Sequence, residues 1–264
     1  NTLVLKLYSA VWLPRIADLT RWLREFLKPE RIVLRLSRNA TTSFEQAGYQ
    51  DGQNLWGDDT SGSVVFLEDG IQFWSDVVKG QKTGFFLDQR VNRMKVRDYA
   101  AGKNVLNAFC YTGAFSVYAF AGGAESVVSV DASKPAIDLC RQNVVANFAS
   151  RQHHTEVADC FSYLGQIPDT FDLIVLDPPA FAKHQRAVQR GLRGYETINS
   201  LALKRIKRGG FLFFPTFHPS YLLRLDGAAR AEQEAQFAAD LDRGNVANRD
   251  RDTTTAGDRR ATDF

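Results

Sequence analysis

Cysteine is scarce in this 264-residue chain, and what there is lies far apart: Cys110, Cys140 and Cys160, an odd number with no CxxC pair. That pattern excludes a disulfide framework and offers no zinc site, so a reducing cytoplasm is the expected compartment. No apolar run reaches the length of a membrane span, and the first residues lack the pattern of a signal peptide, so no membrane partner is expected. A strong charge of one sign is missing too. With 33 Lys and Arg against 30 Asp and Glu, the net charge of +3 is too small to imply nucleic-acid binding by itself.

The distribution of charge says more than its sum. Between Pro178 and Gly210 stand Lys183, Arg186, Arg190, Arg193, Lys204, Arg205, Lys207 and Arg208, against the single acid Glu196. A phosphate backbone fits such a segment; a basic, solvated helix face is the plainer alternative. From Leu225 to Phe264 bulky apolar residues are nearly absent, and only 228–240 has helical character, so this tail reads as poorly packed chain.

The first hundred residues read as a small α+β module. A strand at about 2–8 leads to an amphipathic helix at about 15–27, in which Ile16, Leu19, Leu23, Phe26 and Leu27 recur at near-helical spacing. A strand at 32–36 follows. Val64–Leu67 and Ile71–Trp74 then flank Glu68-Asp69-Gly70 as a hairpin. The module ends near Lys79-Gly80. The next segment, 82–90, is rich in polar and aromatic types; Asp88 can start the helix at 91–101, and Gly84 allows close backbone approach to a ligand or simply makes a turn.

From Asn104 onward strands alternate with helices. Strands fall at 105–109, 127–130, 155–158, 172–176 and 211–214, with helices beginning at Ala114, spanning 134–147 and lying near 194–207. Helices between strands imply a parallel sheet covered on both faces, whose ligands gather beyond the carboxyl ends of the strands.

Four strand ends carry chemistry. After the first comes Phe109-Cys110-Tyr111-Thr112-Gly113, whose amides can approach an electronegative group and whose glycine removes an obstructing side chain. The Gly-x-Gly-x-x-Gly fingerprint is absent from this turn, which makes pyrophosphate a poor match. A smaller adenosine ligand with a sulfonium and an amino-acid end fits better. Asp131 ends the second strand, where it can bind both ribose hydroxyls or serve as a helix N-cap or turn aspartate. Asp159 ends the third by the same logic and can meet an adenine amino group or play a purely structural part; Phe161 can cover the ring or belong to the core. Asp177-Pro178-Pro179 follows the fourth strand, a stiff loop beside which an exposed Phe181 can stack a base, or else a rigid turn without function.

The runs KTGFFLDQR at 82–90, NAFCYTGAFS at 107–116, VVSVDAS at 127–133, DLIVLDPPAF at 172–181 and RGYETIN at 193–199 resemble the class I S-adenosylmethionine-dependent rRNA methyltransferases, more narrowly the large-subunit cytosine-5 family. The resemblance covers about residues 3–217. It implies an α/β fold: a Rossmann-like class I methyltransferase sheet over 80–224, preceded by a small α+β module over 1–79 and followed by a divergent segment, 225–264. A PUA domain is expected ahead of the module in this family, and the chain reads as beginning after it.

By the same resemblance S-adenosylmethionine is the cofactor, large-subunit ribosomal RNA the partner and a homodimer a candidate assembly. Phe109 and Gly113 then line the cofactor's methionine end, Tyr111 and Thr112 of the same turn also bind it, Asp131 holds its ribose, Asp159 neighbours its adenine and Asp177 faces the reactive side with Pro178 and Phe181. Lys82, Thr83, Asp88, Gln89 and Arg90 close the pocket, while Lys183, Arg186, Arg190 and Arg193 meet the RNA. One departure stands out. Cytosine C5 is made reactive by adding a cysteine thiolate at C6, and the family's cysteine position after the fifth strand is occupied here by Pro219 in Thr216-Phe217-His218-Pro219-Ser220.

Overall fold

Short strands rich in aliphatic residues build the architecture of this computed structural model, which describes residues 1–59, 61–168, 170–181 and 188–215. The chain opens with β1 (Thr2–Leu7), a 3-10 segment (Ala10–Arg15), α1 (Ile16–Leu27), β2 (Arg31–Leu36), α2 (Arg38–Gln46) and β3 (Asn54–Trp56). β1 and β2 pair in parallel across the α1 crossover, and β3 adds to β2 antiparallel. α1 turns Ile16 and Leu23 inward, and its left-handed cap Lys28 ends it before Pro29.

β4 (Ser63–Glu68) and β5 (Ile71–Asp76) form the expected hairpin. Asp69 and Gly70 both have positive φ, 52° and 78°, the conformation a two-residue hairpin turn of matching twist requires. The hairpin does not stand alone. Its buried Glu68 pairs with the buried Arg93 on α3 (Arg90–Tyr99), through bonds of 2.8 and 2.7 Å.

The second half contains β6 (Asn104–Ala108), α4 (Ala114–Ala121), β7 (Ser126–Asp131), α5 (Lys134–Phe148), β8 (Gln152–Val157), α6 (Cys160–Gln166), β9 (Phe171–Leu176), α7 (Val188–Leu203) and β10 (Ile206–Phe213). The five strands are parallel in the order β10-β9-β6-β7-β8. Val105, Val127, Leu173 and Val175 face one layer with α3 and α4; Leu106, Ala108, Val130, Ile174 and Leu176 face the other with α6 and α7. Two-sided burial explains why these strands read as continuous apolar runs. The order reverses between β6 and β9, which makes their carboxyl ends the natural crevice for a ligand.

Several expectations change. α7 starts at Val188 and ends at Leu203, because Gly191 and Gly194 are accommodated inside it: a side chain at 194 would meet the Phe181 ring at 3.1 Å. β10 begins five residues early, with an irregularity between Ile206 and Phe211 where Gly209 takes φ 79°. Asp88 does not cap α3; it lies in a 3-10 turn (Leu87–Gln89), and its carboxylate holds the Lys82 ammonium at 2.8 Å. Among the described residues, 1–214 form one compact unit, and no helix is long and apolar enough to cross a membrane. The tail helix expected at 228–240, and the run 216–220, lie outside the described residues.

Candidate cofactor site

The turn after β6 is held by its own hydrogen bonds. Phe109, Tyr111 and Gly113 take φ of 60°, 48° and 77°, so two bulky residues occupy the left-handed region. The Cys110 amide donates to Val130 O (3.0 Å), Gly113 N to Cys110 O (2.8 Å) and Phe109 N to Cys160 Sγ (3.2 Å). Tyr111 N donates to Asp131 Oδ2 at 2.9 Å. These amides were expected to face a ligand; instead they lock the turn. Thr112 is buried beneath it, its carbonyl taken by Asn143 Nδ2 at 2.9 Å.

Gly113 and Gly84 each have a packing reason of their own. A Cβ on Gly113 would lie 2.2 Å from Cys140 Sγ on α5, and one on Gly84 would meet Ser75 Oγ at 2.3 Å and Asp76 O at 2.5 Å. Gly113→Ala therefore combines a forbidden φ with a clash and is expected to destabilise the fold by about 1–3 kcal/mol. A thermal unfolding midpoint unchanged from wild type would contradict this, and Cys140→Ala in the same chain should restore part of the loss.

Tyr111 ties the turn to the loop before α3. Its hydroxyl accepts from Gln81 N at 2.9 Å and donates to Gly84 O at 3.3 Å, and its ring meets Phe86 edge-on at 5.3 Å. Burial raises its phenol pKa. In that loop Lys82 spans Asp88 and the Phe86 ring, with its Nζ 4.3 Å from the ring centroid, and Thr83 is half-buried. Gln89 and Arg90, expected to close the pocket, are engaged elsewhere: Gln89 accepts from Asn92 at 2.6 Å, and Arg90 pairs with Asp69 on the hairpin.

Three carboxylates stand at strand ends. Asp131 closes β7 and accepts a second amide, from Ser133, at 2.9 Å on Oδ1. Each of its oxygens thus holds one backbone amide and keeps further acceptor capacity. Asp159 is exposed and caps α6 by accepting from Ser162 N at 2.9 Å. Asp177 is half-buried after β9. Desolvation pushes its carboxyl up to about 6; Lys82 and Arg93 oppose the rise and Asp88 adds to it.

Phe181 is not exposed. It packs among Tyr195, Phe161 and Phe109 with centroids at 4.5, 5.6 and 6.5 Å, because Gly194 leaves room for it against α7. Tyr195 also fixes the proline loop, its hydroxyl accepting from Phe181 N at 3.3 Å and donating to Pro179 O at 3.5 Å. Arg190 and Arg193 are exposed on α7; Lys183 and Arg186 lie outside the described residues.

All three thiols are buried. Burial pushes Cys160 up to about 12, and it serves as a core hydrogen-bonding group between Phe109 N and Val130 O. Burial also raises Cys110. Cys140, which takes a hydrogen bond from Cys110 and lies 4.0 Å from His153 Nε2, is lowered. A buried polar chain continues through Ser129, Ser116 and Asn107, at 2.8, 2.7 and 2.8 Å, and underpins β6 directly below the turn.

Residues 51–248 match the family described as S-adenosylmethionine-dependent methyltransferase. The chain belongs to that family. This methyltransferase is 40% identical over 217 residues to a ribosomal RNA large subunit methyltransferase of Deinococcus radiodurans, covering 80% of this chain and 53% of the relative. It is 43% identical over 186 residues to ribosomal RNA large subunit methyltransferase I of Shewanella amazonensis, covering 66% and 46%. The chain spans about half the length of the curated relatives it matches. Among solved structures it is similar to SMU.776, assigned as a methyltransferase and crystallised with SAH, at TM-score 0.67 and 27% identity, covering 80% of this chain and 54% of that one.

The donor set of this methyltransferase fits S-adenosylmethionine. Carboxylates at the ends of β7 and β9, with a third after β8, repel a pyrophosphate and suit a ligand carrying a sulfonium and an ammonium. Asp177, destabilised as an anion by burial, is the group a nearby cation would relieve most. Among the residues that reading the sequence missed are Asn143 and Asn147. Four apart on α5, they pair with the backbone of Trp74 and Gln72 on β5 and, through Asn143, with the cofactor turn. Their i, i+4 spacing was the available signal.

Proposed function

We propose that this methyltransferase methylates a base of large-subunit ribosomal RNA, with cytosine C5 as the acceptor that the family resemblance implies. The observation carrying the reading is the 40% identity to a large-subunit rRNA methyltransferase over 80% of this chain. In this reading residues 1–79 form the small module and 80–224 the catalytic domain. S-adenosylmethionine supplies an electrophilic methyl group when bound.

The chain's own residues bind and orient. Asp131 accepts the ribose hydroxyls while bracing the turn, Asp159 lies toward the adenine, and Phe109, Tyr111, Thr112 and Gly113 wall the methionine side. Lys82 and Thr83 cover the pocket from the preceding loop. Asp177 and Pro178 form the stiff edge against which the target base lies, and Phe181 supports that edge from behind. Arg190 and Arg193, with Lys183 and Arg186, meet the phosphate backbone. The test is transfer of labelled methyl groups to large-subunit rRNA, followed by nucleoside identification. A protein that binds S-adenosylmethionine yet methylates neither intact nor fragmented rRNA overturns the proposal.

A ring or exocyclic nitrogen is the second reading, favoured by the burial of all three cysteines and by Pro219 at the family's cysteine position. A nitrogen lone pair needs no thiolate adduct. A trapped covalent protein–RNA adduct would decide for C5; thiol-independent transfer to nitrogen would decide for the second reading.

Asp177 gives the site a pH dependence. Its folded pKa, about 6, lies above the ordinary 3.8, so its contribution to stability is fully present below 3.8 and is lost as pH rises through 6. Cofactor binding has the opposite slope, because the cationic ligand favours the ionised carboxylate. Affinity is expected to fall between pH 7 and pH 5, with proton release on binding near pH 6, and Asp177→Asn should flatten both. Calorimetry in buffers of different ionisation enthalpy measures the released proton; identical heats would contradict the role given to Asp177.

A further inference from the structure

Far in sequence from the strand ends of the cofactor site, a groove of about 480 Å³ is lined by Arg21, Arg24, Glu25, Lys28, Pro29 and Trp56. Arg21, Arg24 and Lys28 recur at i, i+3 and i+7, a single stripe along α1. Three cations meet one acid there. Arg21 is steadied by Asp18 at 2.8 Å, whereas among the described residues no carboxylate lies within ion-pair distance of Arg24 or Lys28.

A helix face that merely dissolves in water would extend its arginines into solvent. Arg24 does not: its guanidinium carbon lies 3.3 Å from the centroid of a Trp56 ring, a face-on stack. Trp56 sits on the three-residue edge strand β3 and keeps 40% of its surface exposed. Beside the stripe, Trp22 and Phe26 are a second exposed aromatic pair, with centroids 4.7 Å apart. Stacked guanidinium, indole and unpaired cations in one concavity are the components by which proteins hold single-stranded nucleic acid: aromatic faces take bases and cations track the backbone. An acidic protein segment would use the charges but not the rings.

We propose that this groove binds single-stranded RNA and gives the substrate a second anchor on the N-terminal module. The proposal rests on the reading that the acceptor is RNA. With two anchors, substrate affinity depends on RNA long enough to engage both, as linked binding sites require.

The experiment is a fluorescence and affinity titration of the full chain with a short single-stranded oligouridylate, repeated on Trp56→Phe and on Arg24→Gln with Lys28→Gln. The wild type is expected to show quenched indole emission that Trp56→Phe largely loses. The double variant should bind about tenfold more weakly at low salt, with a salt slope shallower by about 0.7 for each phosphate it no longer neutralises. S-adenosylmethionine affinity should not change in either variant. Wild-type RNA binding with an unaltered affinity and slope in the double variant overturns the groove alone. Absence of wild-type RNA binding overturns the groove and the RNA reading together. Polyglutamate binding as tightly as the oligouridylate overturns the groove in favour of an acidic protein partner.

Discussion

Arg93→Ala is expected to cost about 3–5 kcal/mol of stability, because it leaves the Glu68 carboxylate buried without its partner. Arg93 is 1% exposed and Glu68 is 7% exposed, and their two bonds are 2.8 and 2.7 Å. The loss spreads beyond the pair. Arg93 also donates to Phe86 O at 2.8 Å, and its guanidinium lies 4.7 Å from the Phe85 ring centroid, so it fastens the loop that carries Lys82 and Thr83. Tyr118 adds its hydroxyl to both Glu68 and Asp69; burial first, then those carboxylates, raise its phenol pKa. Urea unfolding measures the cost. A midpoint equal to wild type would contradict it, whereas Arg93→Met with Glu68→Leu should recover most of the stability by removing both charges.

Asp131→Ala is expected to weaken S-adenosylmethionine binding by about 1–3 kcal/mol, roughly five- to 150-fold in affinity. Two causes combine. The ribose hydroxyls lose their acceptor, and the Tyr111 amide, which donates to Asp131 at 2.9 Å, loses the bond that steadies a left-handed residue of the turn. Asp131→Asn separates them: its amide oxygen can keep the Tyr111 bond while the charge is lost, so it should fall between wild type and alanine. Calorimetric affinity equal to wild type in Asp131→Ala would remove Asp131 from the site.

The strands of the large sheet were legible because their environment is uniform: Val105, Val127 and Ile174 are buried whichever way they point, so each run is plainly apolar. Short or polar elements were less so. β3 is three residues long, and the strand expected at 155–158 begins earlier, as β8 from Gln152, because His153 and His154 stand where apolar residues would announce it. The strand-end acids could be placed from order alone, since a parallel sheet delivers successive strand ends to one edge. Their local duties could not: that Asp159 caps α6, or that Asp131 holds the Tyr111 amide, depends on turn geometry.

The glycines beside the site have packing partners that sequence spacing does not display. Gly113 and Gly84 stand beside the site, yet what they accommodate is Cys140 and the end of β5. Those partners are distant in sequence. Glu68 with Arg93, and Asn143 with Trp74, belong to the same class of long-range contact, and they fasten the hairpin to the sheet domain. Phe181 was misjudged for the same reason, because Gly194 creates its packing site from α7.

If the carboxyl edge between β6, β7 and β9 holds S-adenosylmethionine by its ribose, a crystal structure of the chain with the cofactor will display that contact. Both ribose hydroxyls are expected within hydrogen-bond distance of the Asp131 carboxylate, beside an unchanged 109–113 turn. A bound cofactor whose ribose meets other residues, with Asp131 still engaged only by Tyr111 and Ser133, would contradict it.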